Sequence, residues 1–305
     1  MSCRLAFPSA TRKVSDCVVL MPEIRRVLAW AICFGASLAL ADPSDIRSAA
    51  SLRARYGELR PQLDSSPFSR PLLLESSDVD SRIKGDIYAL VRYPIAVVNE
   101  ALNDPEHWCD MLLLHVYTKQ CHAVPHHQGG SSVVVNIERK SFALFDSSYT
   151  VNFLYRTAST GPDYFDVALT AAAGPMGTSD YRVLLQAVAV EEDTTFLHFS
   201  YANTYSLAGR IAMETYLATL GRGKVGFTRT REYSSETPNY IGGTRGVVER
   251  NTMRYYLALE AYLAALSTPA QARQEKRLQT WFGFTEQYAR QLHEVDRATY
   301  LEMKR

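Results

Sequence analysis

From Leu114 to Tyr205 the side chains alternate between apolar and polar with a period of two, interrupted by short runs of turn residues. A chain with this pattern is committed to β-structure over that length. Strands are expected at about 114–124, 132–140, 149–158, 163–172, 180–190 and 194–205. The breaks, Pro125 to Gly130, Asp146 to Ser148, Ser159 to Pro162, Gly174 to Gly177 and Glu191 to Asp193, are short enough to make neighbouring strands antiparallel hairpins. The alternation sets one apolar face, which includes Val133, Val135, Val151, Phe153, Tyr155 and Leu169, and continues through Val183, Leu185, Ala187, Leu197, Phe199 and Tyr201. The opposite face carries Asn136, Glu138, Asn152, Arg156, Asp166, Arg182, Gln186 and His198, and is expected to meet water.

An apolar sheet face needs a cover. The strongest candidate is a helix over about 244–266, in which Val248, Thr252, Tyr255, Leu259, Tyr262 and Leu266 recur at spacings of three and four while Glu249, Arg250, Arg254 and Glu260 fall off the stripe. Upstream, a helix over 45–60 has Ile46, Leu52, Tyr56 and Leu59 as apolar positions and is expected to stop at Pro61. Extended segments Pro71 to Ser76 and Arg82 to Tyr93 follow, then a helix started by Pro94 and a second one capped by Asp104 and begun by Pro105, which carries Trp108 and Cys109. A helix at about 207–219, a Gly-rich connection to Gly243 and a charged helical stretch over 270–305, with Trp281, Phe282, Phe284 and Tyr288 as docking side chains, complete the chain.

Residues 21–41 read as a secretory signal peptide. Met21 precedes Arg25 and Arg26, the apolar run Val27 to Ala41 follows, and Ala39-Leu40-Ala41 supplies the small-residue cleavage motif. Translation is expected to begin at Met21, with residues 1–20 a non-native extension, and the mature chain is expected in the periplasm or outside the cell. The whole sequence holds 33 basic and 32 acidic residues. Five and two of these leave with residues 1–41, giving 28 and 30, a balance that argues against nucleic acid as a partner. Cleavage also removes Cys3, Cys17 and Cys33. Cys109 and Cys121 are left, either as a disulfide suited to an oxidising compartment or as two buried thiols.

The order of elements, together with Gly85-Asp86-Ile87-Tyr88-Ala89 and Asn103-Asp104-Pro105-Glu106-His107-Trp108, resembles the START-like (helix-grip, SRPBCC) superfamily over roughly residues 68–266. The resemblance implies an α+β fold in which a curved antiparallel sheet wraps around the long C-terminal helix and encloses an apolar cavity. It further implies that Val151, Phe153, Tyr155, Leu185, Phe199 and Tyr201 face that cavity from the sheet and Tyr255, Leu259 and Tyr262 from the helix. Residues 42–67 and 267–305 are then helical additions at the two ends. The residues alone leave both a packed core and a pocket open, and taken singly each of these cavity-facing side chains fits core packing better than ligand contact.

Other constellations are weaker. His122, His126 and His127 beside Cys121 have the residue types of a metal site, but adjacent histidines on a Gly-rich turn point apart, so no metal or cofactor is expected. Gly221-Arg222-Gly223-Lys224 lacks phosphate-loop spacing, and Arg222, Lys224, Arg229 and Arg231 are expected to be exposed, available to anionic lipid headgroups. No Gly-x-Ser-x-Gly elbow occurs, and His115, His198, Glu138 and Asp166 sit in expected strands facing water. The expected function is a periplasmic binding or carrier protein for a lipid-like molecule, the alternatives being a cyclase- or hydrolase-type enzyme in the same pocket or an envelope scaffold with a solid core.

Overall fold

The computed structural model describes residues 47–127, 129–139, 147–219, 221–230 and 239–305. The signal peptide, the extension before it, Ile46 and Arg231 lie outside these.

Eight strands, β1 (Leu72–Val79), β2 (Arg82–Val91), β3 (Thr118–Pro125), β4 (Ser131–Arg139), β5 (Ser147–Thr160), β6 (Tyr164–Ala173), β7 (Thr178–Glu191) and β8 (Thr194–Tyr205), form one sheet in the order β1-β2-β8-β7-β6-β5-β4-β3. Every pairing is antiparallel. The register lines up the apolar face that alternation prescribes: Ile87 lies opposite Phe199, Phe199 opposite Leu185 and Leu185 opposite Val167. Helices α2 (Ile95–Leu102) and α3 (Pro105–Leu112) interrupt the strands as their prolines require, with Asp104 accepting from the Glu106 amide at 2.7 Å. The strand expected from residue 114 starts only at Thr118, because Leu114 and Thr118 donate back to Met111 and His115 and close turns there.

The sheet wraps around α5 (Gly243–Ala264), in which Val248, Met253, Leu257 and Leu259 are buried. This is the α+β helix-grip arrangement. Gly85 on β2 sets the seam, since a Cβ there would overlap Thr252 on α5. The remaining helices are α4 (Leu207–Ala218), α6 (Ala270–Glu286), α7 (Ala289–Leu292) and α8 (Arg297–Lys304). The C-terminal helices cover the far side of α5: the Trp281 indole donates to the Arg254 carbonyl at 3.0 Å and the Tyr300 hydroxyl to the Leu114 carbonyl at 2.8 Å. With sheet on one side and α6 to α8 on the other, α5 is buried nearly all round. Glu249, Arg250 and Arg254, expected off the apolar stripe, are therefore 0%, 3% and 5% exposed.

The outer sheet face is partly covered rather than wet throughout. Helix α1 (Ala49–Asp64) packs across it, burying Leu52, Leu59 and Leu63 against Tyr88, Tyr164, Val188 and Phe196. Asp166, Gln186 and His198, expected in water, are buried beneath it, whereas Asn152, Arg156 and Arg182 on the uncovered part stay exposed. The buried groups satisfy one another. His198 bonds Asp86 at 2.8 Å and Gln186 at 2.9 Å, Gln186 donates to the Tyr164 hydroxyl at 3.1 Å, and that hydroxyl donates to Asp166 at 3.3 Å. Burial pushes the Asp86 carboxyl up, but the His198 hydrogen bond and charge outweigh it and hold it below the usual range. The helix also runs through Pro61 rather than stopping there. Leu59 and Leu63 anchor the last turn in the outer core.

Cys109 and Cys121 form a disulfide with a Cα–Cα distance of 5.1 Å, tying α3 to β3.

Candidate functional site

The interior between sheet and α5 is filled at one end and hollow at the other. Helices α2 and α3 close the filled end, where Trp108 is buried with its indole donating to the Leu102 carbonyl at 2.8 Å. Beyond it lies a cavity of about 250 Å³. Val135, Val151, Phe153, Leu169, Val183 and Phe199, from five strands, make its floor. Met176, in the 3-10 turn between β6 and β7, both lines the cavity and is 48% exposed, so this turn and Met213 of α4 bound its open side. An apolar cavity of about 150 Å³ takes one benzene, so this one suits roughly ten non-hydrogen atoms.

The opposite wall is polar. Arg250, Asn251, Arg254 and Tyr255 face the cavity from α5, His115 and Tyr117 from the α3–β3 connection, and Glu294 from the segment after α7. Glu294 accepts from Arg254 Nη2 at 2.6 Å, Lys224 Nζ at 2.5 Å and the Tyr117 hydroxyl at 3.0 Å. Burial alone would raise its carboxyl; the Arg254 and Lys224 charges reverse this and hold it at about 2. His115 is enclosed in the same wall, stacked on Tyr255 at 5.4 Å, and its Nδ1 accepts from the Tyr117 amide at 3.4 Å. Burial first, then the charges of Arg254 and Lys304, push its pKa down to about 3. Burial also raises the phenols of Tyr181, Tyr201 and Tyr255, which therefore stay neutral.

Of the residues expected in the cavity, the structure brings together Val151, Phe153, Phe199, Tyr201, Tyr255 and Leu259. Tyr155, Leu185 and Tyr262 lie on the expected faces but outside the hollow. The Tyr155 hydroxyl donates to Asn103 at 3.3 Å beside α2, Leu185 is fully buried in the filled end, and the Tyr262 ring lies under the Arg277 guanidinium at 4.0 Å. Periodicity gives a face and not a depth along it. The polar wall escaped the sequence reading because Arg250 and Arg254 fall off the α5 stripe, although their i,i+4 spacing on one helix face was visible. His115 was expected on a strand facing water; the turns at 114–118 place it inside instead.

His198, Asp166 and Glu138 belong to the other side of the sheet from the cavity. His122 and His127 are exposed, Cys121 is held in the disulfide, and among the described residues no three His, Cys, Asp or Glu side chains gather as a metal site. Of the expected cationic patch, Arg222 and Arg229 are exposed, whereas Lys224 is engaged with Glu294.

No family model matches the chain, and no curated protein matches it. Solved structures with a similar fold include a START superfamily protein from Mycobacterium smegmatis (13% identity, 46% of this chain and 92% of that one, TM-score 0.32). Human STARD10 is similar over 58% of this chain and 77% of its own, at 8% identity and a TM-score of 0.33. Truncated norcoclaurine synthase from Thalictrum flavum is similar over 48% and 91%, at 13% identity and a TM-score of 0.31. The helix-grip arrangement of this chain rests on its own eight-stranded antiparallel sheet and α5.

Proposed function

We propose that this is an exported, non-enzymatic carrier that shields a small, largely apolar molecule between its sheet and α5. The observation that carries the proposal is the cavity of about 250 Å³ floored by five strands, closed at one end and open beside Met176. Burying the ligand there would gain about 25 cal/mol per Å² of apolar surface. At roughly ten non-hydrogen atoms the guest is a single-ring or medium-chain compound, too small for a two-tailed lipid. Export is supported by the Cys109–Cys121 disulfide, which persists in an oxidising compartment. Arg222 and Arg229 supply a weak contact to anionic membrane, about 1 kcal/mol per charge.

A cyclase- or hydrolase-type enzyme would use the same cavity, and one observation favours it: His115 and Glu294 are ionisable groups with shifted pKa values in the wall. Both shifts run away from neutrality, however, whereas a general acid or base works with a pKa near the operating pH. A scaffold with a solid core has no use for the hollow.

The test is organic extraction and mass spectrometry of protein purified from the cell envelope, alongside a Val183→Trp variant that fills the floor. A co-purifying small molecule that the variant loses supports the carrier. A guest-free protein whose melting temperature responds to no compound of this size would overturn it.

A further inference from the structure

The cavity is divided: apolar along the sheet, polar and charged along α5 and the segments that meet it. A ligand with no polar end would leave the Arg254 Nε–H of the second wall without an acceptor, and a buried donor without a partner is costly. We infer that the guest is a small amphipathic acid, its carboxylate received by Arg254, Asn251 and His115 and its apolar body laid on Val151, Phe153 and Phe199. This inference rests on the carrier reading.

Charge points to an anion. On this wall one carboxylate, Glu294, is flanked by two cations, Arg254 at 2.6 Å and Lys224 at 2.5 Å, which leaves the trio positive. Arg250, itself 3% exposed, lines the same wall. Arg254 is 5% exposed; its Nη2 serves Glu294 and the Leu292 carbonyl, and its Nε–H makes no hydrogen bond among the described residues. At His115, Arg254 and Lys304 add to burial in keeping the ring neutral, against the opposing charge of Glu294. With Nδ1 accepting from the Tyr117 amide, the ring proton sits on Nε2 and makes that nitrogen a donor. Glu294 shows in place that this wall accepts a carboxylate. It also lowers the attraction for a second one.

The full mature chain would be titrated at pH 7 and low salt with octanoate, octan-1-ol and octylamine by calorimetry. These are chains of about the right size with anionic, neutral and cationic heads. Octanoate is expected to bind about tenfold more tightly than octanol, with octylamine weakest. Arg254→Gln should bring the octanoate-to-octanol ratio close to one, and Glu294→Gln should raise that ratio above wild type, a direction that damage to the fold does not produce. Scoring the ratio removes any loss common to both ligands. Octanol binding as tightly as octanoate, octylamine binding most tightly, or an unchanged ratio in Glu294→Gln would overturn the acid head while leaving the carrier reading intact. Binding of none of the three by wild type would overturn both.

Discussion

Glu294 is the side chain through which the C-terminal segment holds α5, and replacing it by Gln has a calculable effect on stability. Its carboxyl titrates at about 4.5 when unperturbed and at about 2 in the fold, where the ion pairs with Arg254 and Lys224 overcome burial. At 1.36 kcal/mol per pH unit, that difference corresponds to about 3 kcal/mol. A depressed carboxyl contributes its stability fully above the unfolded pKa and loses it as pH falls through the folded one, so the contribution is complete at pH 7, shrinks between about 4.5 and 2, and is gone below. Urea unfolding of wild type and Glu294→Gln should therefore show a gap of about 3 kcal/mol at pH 7 that narrows through pH 4 and closes near pH 2. A gap of the same size at pH 7 and pH 2.5 would refute the reasoning, because the lost interaction would then not be that of an ionised carboxylate.

Reducing the Cys109–Cys121 disulfide, or replacing both cysteines by Ala, should cost about 3 kcal/mol by the loop-entropy estimate and lower the melting temperature; insensitivity to reductant would show that the link does not constrain the unfolded chain. Gly85→Ala should destabilise by more than about 2 kcal/mol, since the added methyl meets Thr252 across the sheet–helix seam, and a neutral result in thermal unfolding would mean that α5 can shift. Leu59→Ala should cost about 2 to 5 kcal/mol through the outer core while leaving ligand affinity unchanged, because α1 lies on the other side of the sheet from the cavity. Asp86→Asn removes the charge that faces His198 in a buried chain and should cost about 2 to 4 kcal/mol, measured by denaturant midpoint.

Much of the fold was legible because sheet patterning is local. The period-two run placed β4 to β8 to within a few residues and set the inward face, and Asp104-Pro105 started α3 where capping chemistry says it should. What failed was long-range. His198, Gln186 and Asp166 read as solvent-facing since nothing in their own strands announces that α1, more than 100 residues earlier, lies over them. Pro61 read as a stop since Leu59 and Leu63 gain their anchorage only from the sheet. For α5 the failure is instructive: a helix buried on all sides has no polar face for a stripe to be measured against, and its charged residues are then the informative ones. Arg250 and Arg254, which fall off the apolar stripe, are the core of the polar wall.

The hollow also accounts for the helical additions at either end of the chain. A hollow of about 250 Å³ takes packing contacts away from the residues around it, out of the roughly 5 to 15 kcal/mol that separates folded from unfolded domains. The sheet and α5 alone would carry that cost on one layer of packing. Helix α1 adds a second core through Leu52, Leu59 and Leu63, each worth about 1.5 to 3 kcal/mol when buried, and the disulfide adds about 3 kcal/mol beside the filled end. Together these offset the void without filling it. The interior can then stay open at the Arg254 end because the outer face, α3 and the C-terminal helices hold the wall in shape.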